Sequence, residues 1–245
     1  MVDSLSFDIR TQPDNTTCGP TCLHSVYRYY GLEITLGELI RDVKTLKAGG
    51  TLAAFLGCDA LGRGYNATIY TFDLKVFDPG WFEPSSVSLT SKLRSQLKYK
   101  HDLKLIEATE GYIEFIEKGG NIKFEDLTTG LIRRYLKRGV PILTGLSATY
   151  LYRTPREYGP NDDFDDLRGE PSGHFVVMHG YDSGSRTVHI ADPIQPTAKL
   201  DESKYHASIY RVIGAVMLGI LTHDANLLMI EPRRDRNPGG RRVTQ

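Results

Sequence analysis

Cys18 follows Gln12 by six residues in the stretch Gln12-Pro13-Asp14-Asn15-Thr16-Thr17-Cys18-Gly19-Pro20-Thr21-Cys22, and this spacing suits nucleophilic chemistry. The residues after Cys18 predict a helix. Pro20 is tolerated in a first turn, Cys22, Val26 and Tyr30 recur every four residues, and Gly31 is placed to stop it. Cys18 therefore falls at or just before a helix N-terminus, where unpaired N–H groups and the helix dipole favour the thiolate, the reactive form of cysteine. Gln12 could aim its amide at an oxyanion forming beside the sulfur, with the Cys18 N–H as second donor. A single cysteine behind a loop glutamine is more often a buried structural residue. The chemical reading needs a base elsewhere in the chain.

That base is offered far downstream. Phe175 to Tyr181 and Thr187 to Ala191 read as two strands joined by the turn sequence Asp182-Ser183-Gly184-Ser185. Pairing centred near Ser183 sets His174 opposite Asp192, with Cβ atoms roughly 5 Å apart. A thiol on a helix N-terminus, an imidazole on a sheet and a carboxylate orienting it are the parts of thiol-based acyl transfer. His179 and His189 lie an odd number of steps from His174 and Asp192 respectively, so both point to the other side of their strands.

These elements must be carried by a framework. A second helix is announced by the capping box Thr35-x-x-Glu38, carried by Leu36, Leu39, Ile40, Val43 and Leu46, and ended by Gly49-Gly50. A short helix follows from Thr51 to about Leu61, then alternating residues from Ala67 to Val76 predict a strand or hairpin. The middle of the chain reads as helical. Leu127 to Leu136 predicts a further helix that stops at Gly139, and Val140 to Leu146 is a near-continuous apolar strand. From Tyr205 to Leu221 the pattern fits either a helix or a buried strand, and Asn226 to Ile230 reads as a last strand.

The 153–172 segment is too long and polar for an ordinary connection. It holds six acidic and three basic residues, including Asp162-Asp163-Phe164-Asp165-Asp166. It reads as a solvated surface loop or as a substrate-contacting lid; the lid reading suits a substrate with a basic segment.

Composition sets limits. At 245 residues the chain can form a single domain, here assigned to 1–232, with 233–245 an arginine-rich flexible tail. Lys plus Arg and Asp plus Glu number 30 each, so no net field draws the protein to nucleic acid or an acidic membrane. The longest apolar run, Val212 to Leu221, is too short to span a bilayer, and the N-terminus has no secretory pattern. Three cysteines make no disulfide framework, which suits a reducing cytoplasm. Cys22 and Cys58 read as core residues, and no pattern in the sequence calls for a metal or nucleotide.

Four linked segments carry a family resemblance: Gln12 with Cys18-Gly19-Pro20; the helix ending Tyr29-Tyr30-Gly31; Gly139-Val140-Pro141-Ile142; and His174-Phe175-Val176-Val177-Met178-His179-Gly180-Tyr181-Asp182 leading to Ile190-Ala191-Asp192-Pro193. In this order they resemble the papain-like cysteine peptidases, and more narrowly the bacteriocin-processing branch that cleaves leader peptides after two glycines. The resemblance implies an α+β fold in which a helical lobe carrying the cysteine packs on an antiparallel sheet carrying the histidine and aspartate. It implies Cys18 as nucleophile, His174 as general base and acid, Asp192 as orienting carboxylate and Gln12 as oxyanion-hole donor, acting on a peptide or isopeptide bond without metal or organic cofactor. By analogy the source is bacterial. The membrane and nucleotide-binding domains of exporter-linked members are absent from the sequence, so a role in peptide export does not follow. Two other readings stay open: an acyltransferase or transpeptidase using the same thioester, and a non-catalytic peptide-binding module.

Overall fold

The computed structural model describes residues 2–84, 87–195 and 203–233. In chain order the elements are β1 (Val2–Ser4), α1 (Cys18–Tyr29), α2 (Leu36–Asp42), α3 (Ala53–Gly62), β2 (Tyr65–Thr71), α4 (Leu89–Gln96), α5 (Leu103–Glu117) and β3 (Asn121–Lys123). They continue with α6 (Thr129–Leu136), β4 (Ile142–Ser147), α7 (Ala148–Tyr152), β5 (Glu157–Tyr158), β6 (Asp163–Phe164) and β7 (Gly173–Asp182). The last are β8 (Thr187–Ala191), β9 (Lys204–Ser208), α8 (Ile209–Leu218) and β10 (Asn226–Pro232). The flexible-tail expectation for 233–245, Arg233 apart, lies outside the described residues.

Eight of the described strands form one sheet in the order β3-β2-β10-β4-β7-β8-β9, with β1 pairing the far half of β7. The long strand β7 has three neighbours. It pairs with β4 through its first half, β1 through its second, and β8 along its other edge. Antiparallel pairing dominates, as expected; β2 and β3 alone among the described strand pairs run parallel.

Alternation along β7 builds two cores. Phe175 and Val177 join a cluster formed with α1 to α5, while Val176 and Met178 join a second formed with α6, α7 and α8. Helices thus cover both faces of the sheet. β4 is buried along its whole length for this reason, as its apolar run predicts. The capping box is present: Thr35 Oγ1 accepts the Glu38 N–H, and a Glu38 carboxylate oxygen accepts the Thr35 N–H. The ambiguous 205–221 stretch divides between β9 and α8. No helix among the described residues is long and apolar enough to cross a membrane.

Candidate active site

Cys18 is the first residue of α1 and is half-buried. Its N-cap, Thr17, turns its hydroxyl back to the Asp14 carbonyl instead of capping the helix, so no side chain takes the first-turn amides. Gly19 explains the tight start. A Cβ there would stand 2.4 Å from a Thr51 methyl and 3.3 Å from the Phe175 ring, so only a glycine lets the 51 loop and β7 close around the cysteine. One turn on, the Cys22 thiol donates to the Phe175 carbonyl at 3.2 Å and ties α1 to β7. Cys22 and Cys58 are both buried; burial pushes the Cys22 thiol well above its ordinary range and the Cys58 thiol up to about 11.

His174 sits on β7 next to the strand's start, opposite Leu146 of β4. Its Nε2 lies 2.9 Å from Asp192 Oδ1, and Cys18 lines the same cavity and acts electrostatically on the ring. The histidine–aspartate pair forms by a register different from the one expected. Val177 pairs with Ala191 and Met178 with Ile190, and a bulge then shifts the ladder so that Gly180 pairs with His189. Continued, that register sets Asp192 diagonal to His174 on the same face rather than directly opposite. The imidazole spans the diagonal.

Asp192 is fully buried and meets four donors. His174 Nε2 and the Ile194 N–H, at 3.0 Å, serve Oδ1, while the hydroxyls of Tyr152 at 2.6 Å and Tyr205 at 2.8 Å serve Oδ2. Burial opposes the charged carboxylate, but His174 and these donors outweigh it and hold the acid below its usual range. For His174 burial opposes the imidazolium. The Asp192 and Cys18 charges overcome this and raise the imidazole to about 10. Tyr152 and Tyr205 carry no signal in the sequence, since neither belongs to a recognisable motif.

Gln12 is buried and held by its backbone, whose N–H donates to the Pro193 carbonyl at 2.7 Å, so its loop is fastened to the Asp192 turn. Its Nε2 gives one hydrogen to the Asp14 carbonyl at 2.8 Å, leaving the second available. Gln12 and Cys18 line neighbouring cavities of about 440 and 320 Å³, and His174 borders both.

The 153–172 segment folds over this cleft as the β5–β6 hairpin. Asp162, in a left-handed conformation at φ 56°, accepts a hydrogen bond from the Asn15 amide at 3.2 Å. The hairpin is thereby latched to the loop that carries Cys18. His179 and His189 lie away from the pair, bonded to the Leu5 carbonyl and the Ser4 hydroxyl respectively.

The chain matches two family models: "Peptidase C39 family" over residues 6–78, which holds Gln12 and Cys18, and "Peptidase_C39 like family" over residues 95–216, which holds His174 and Asp192. No curated protein sequence matches. Among solved structures it is similar to a putative C39-like peptidase from Bacillus anthracis (13% identity, 93% of this chain and 96% of that one, TM-score 0.46). It is also similar to the peptidase domain of Streptococcus ComA, a bi-functional ABC transporter (15%, 92% and 98%, TM-score 0.44). A third is a double glycine motif protease from an AMS/PCAT transporter, in complex with its leader peptide (12%, 94% and 94%, TM-score 0.46).

Proposed function

The chain belongs to the peptidase C39 family of papain-like cysteine peptidases, and from that premise we propose that it hydrolyses a peptide or isopeptide bond through a thioester on Cys18. The observation that carries the proposal is His174, bonded to the buried Asp192 at 2.9 Å and lining one cavity with Cys18.

In this reading His174 takes the Cys18 proton, and the imidazolium is stabilised by Asp192. With Nε2 engaged by Asp192, Nδ1 is the nitrogen left for the thiol. The thiolate attacks the scissile carbonyl carbon, and the oxygen's developing charge is met by the Cys18 N–H and the second Gln12 amide hydrogen. The C–N bond then breaks, His174 protonates the leaving amine, and the acyl group remains on sulfur. Water, deprotonated by the same imidazole, attacks the thioester and regenerates the thiol. The substrate is a peptide or an exposed protein segment. No metal or organic cofactor enters these steps.

The test is the rate of Cys18 alkylation by iodoacetamide from roughly pH 4 to pH 9 in wild type and His174→Ala, together with cleavage of a peptide library. Alkylation already fast near pH 6 in wild type and slowed in the variant, with cleavage lost in Cys18→Ala, supports the proposal. An ordinary thiol profile indifferent to His174 overturns it in favour of a peptide-binding module. Adding a primary amine distinguishes hydrolysis from acyl transfer, because a transferase yields an amine-capped product.

A further inference from the structure

Asp224 lies in the cavity beside Cys18 and has no part in the hydrolytic steps. It precedes β10 and is 7% exposed, yet it lines the cleft together with Cys18, Gly173, His174, Thr222 and Lys104. Gly173 makes this possible: a Cβ there would fall 1.9 Å from Asp224 Oδ2, so the carboxylate rests against the bare backbone next to His174. Its close polar partner is the Thr222 side chain. Among the described residues it forms no ion pair. The contrast is with Asp73, also buried, whose carboxylate has His223 Nδ1 at 2.7 Å. Burial pushes the Asp224 carboxyl up to about 6, so it is largely ionised at neutral pH.

A buried carboxylate without a matched cation is costly unless something supplies the charge. The same cavity is bordered by Glu157, Asp162 and Glu170, against Lys104 and the His174 imidazole, whose charge is matched by Asp192. A cleft with an excess of acidic groups between low-dielectric walls concentrates cations from solvent. These two features, a buried acid opening into the cleft and an acidic rim above it, point to the same class of ligand.

We propose that Asp224 is a specificity-determining residue: its carboxylate receives the guanidinium or ammonium group of a substrate arginine or lysine close to the scissile bond. This rests on Cys18 being the nucleophile of the peptidase. The basic side chain enters the part of the cleft between Gly50 and Gly173 and displaces the weaker influence of Lys104 from the carboxylate. Arginine is preferred over lysine, since a planar guanidinium can engage a carboxylate through two parallel hydrogen bonds.

The experiment compares kcat/KM for paired fluorogenic peptides in which one position at a time, on either side of the cleaved bond, carries arginine or its neutral isostere citrulline. The wild-type enzyme is expected to favour arginine by about tenfold or more at one position. Asp224→Asn brings that ratio close to one, and Lys104→Gln raises it by removing a competing charge. The Cys18 alkylation rate reports whether each variant is folded; should Asp224→Asn fail that check, the Lys104→Gln ratio decides. Cleavage with no arginine preference, or a preference that Asp224→Asn or Lys104→Gln leaves unmoved, overturns the assignment of Asp224 while leaving the peptidase reading intact. No cleavage of any peptide, with alkylation indifferent to His174, overturns both.

Discussion

Tyr152 donates its hydroxyl to Asp192 Oδ2 at 2.6 Å, at the end of α7 and forty residues away in the chain. With Tyr205 on the same oxygen and His174 on the other, the carboxylate is held charged in a site with no access to water. In the proposed mechanism the two tyrosines are positioning residues, acting on the reaction through Asp192. A hydrogen bond to a buried charge is worth about 1.5–3 kcal/mol. Tyr152→Phe and Tyr205→Phe are each expected to slow Cys18 alkylation by about one to two decades if that energy bears fully on the pair. Both should also move the acid limb of the profile to higher pH, because Asp192 loses a donor that favours its ionised form. A loss of rate with the acid limb in place would make the tyrosines merely structural.

The histidine–aspartate pair gives stability a defined pH dependence. His174 is raised from 6.5 to about 10, so its contribution is complete below 6.5 and is lost as pH rises through about 10. Asp192 is depressed below its ordinary value, so its contribution is complete above about pH 4 and is lost as pH falls through the lowered value. Melting temperatures across this range should decline on the alkaline side in wild type and decline less in His174→Ala. Parallel alkaline slopes in the two proteins would contradict the raised imidazole.

Three thiols differ in access. Cys22 and Cys58 are buried with raised pKa values, while Cys18 is half-exposed at a helix terminus. Brief iodoacetamide treatment of the native protein near pH 7 is expected to add one group, located at Cys18 by peptide mapping. A second adduct forming at a similar rate would mean that the α1–β7 contact through Cys22 opens readily in solution.

The Asn15–Asp162 hydrogen bond joins the hairpin over the cleft to the Cys18 loop and is solvent-exposed. Its loss should cost no more than about 0.5–1.5 kcal/mol. Asn15→Ala is expected to melt close to wild type but to be nicked faster by trypsin at Arg156 or Arg168, with KM for peptides raised a few-fold. Unchanged nicking and unchanged KM would remove the latch from the account of substrate binding.

Much of the framework was legible because it is periodic. Every fourth residue of α1 is apolar, Thr35 and Glu38 cap α2 within one turn, and β4 is an unbroken apolar run; each is a local pattern imposed by 3.6- or 2-residue geometry. The same local logic placed Cys18 at a helix start and His174 and Asp192 on neighbouring strands. It gave the wrong ladder, because the turn is centred between Gly184 and Ser185, with Asp182 paired to Thr187, rather than at Ser183; the bulge between Met178 and Gly180 then brings the pairing back by one residue.

The sequence by itself determined which side chains could supply a nucleophile, a base and a carboxylate, since those are matters of residue type and short-range spacing. The tertiary structure alone decided what surrounds them. Tyr152 at the end of α7, Tyr205 within β9 and Asp224 just before β10 come from segments far apart in the chain. Their convergence on Asp192 or on the Cys18 cleft is set by how the sheet orders β4, β7, β8, β9 and β10. The physical reason is that burial and hydrogen-bond partners, which set the charge state of a catalytic group, are properties of three-dimensional packing and leave no periodic trace in the chain.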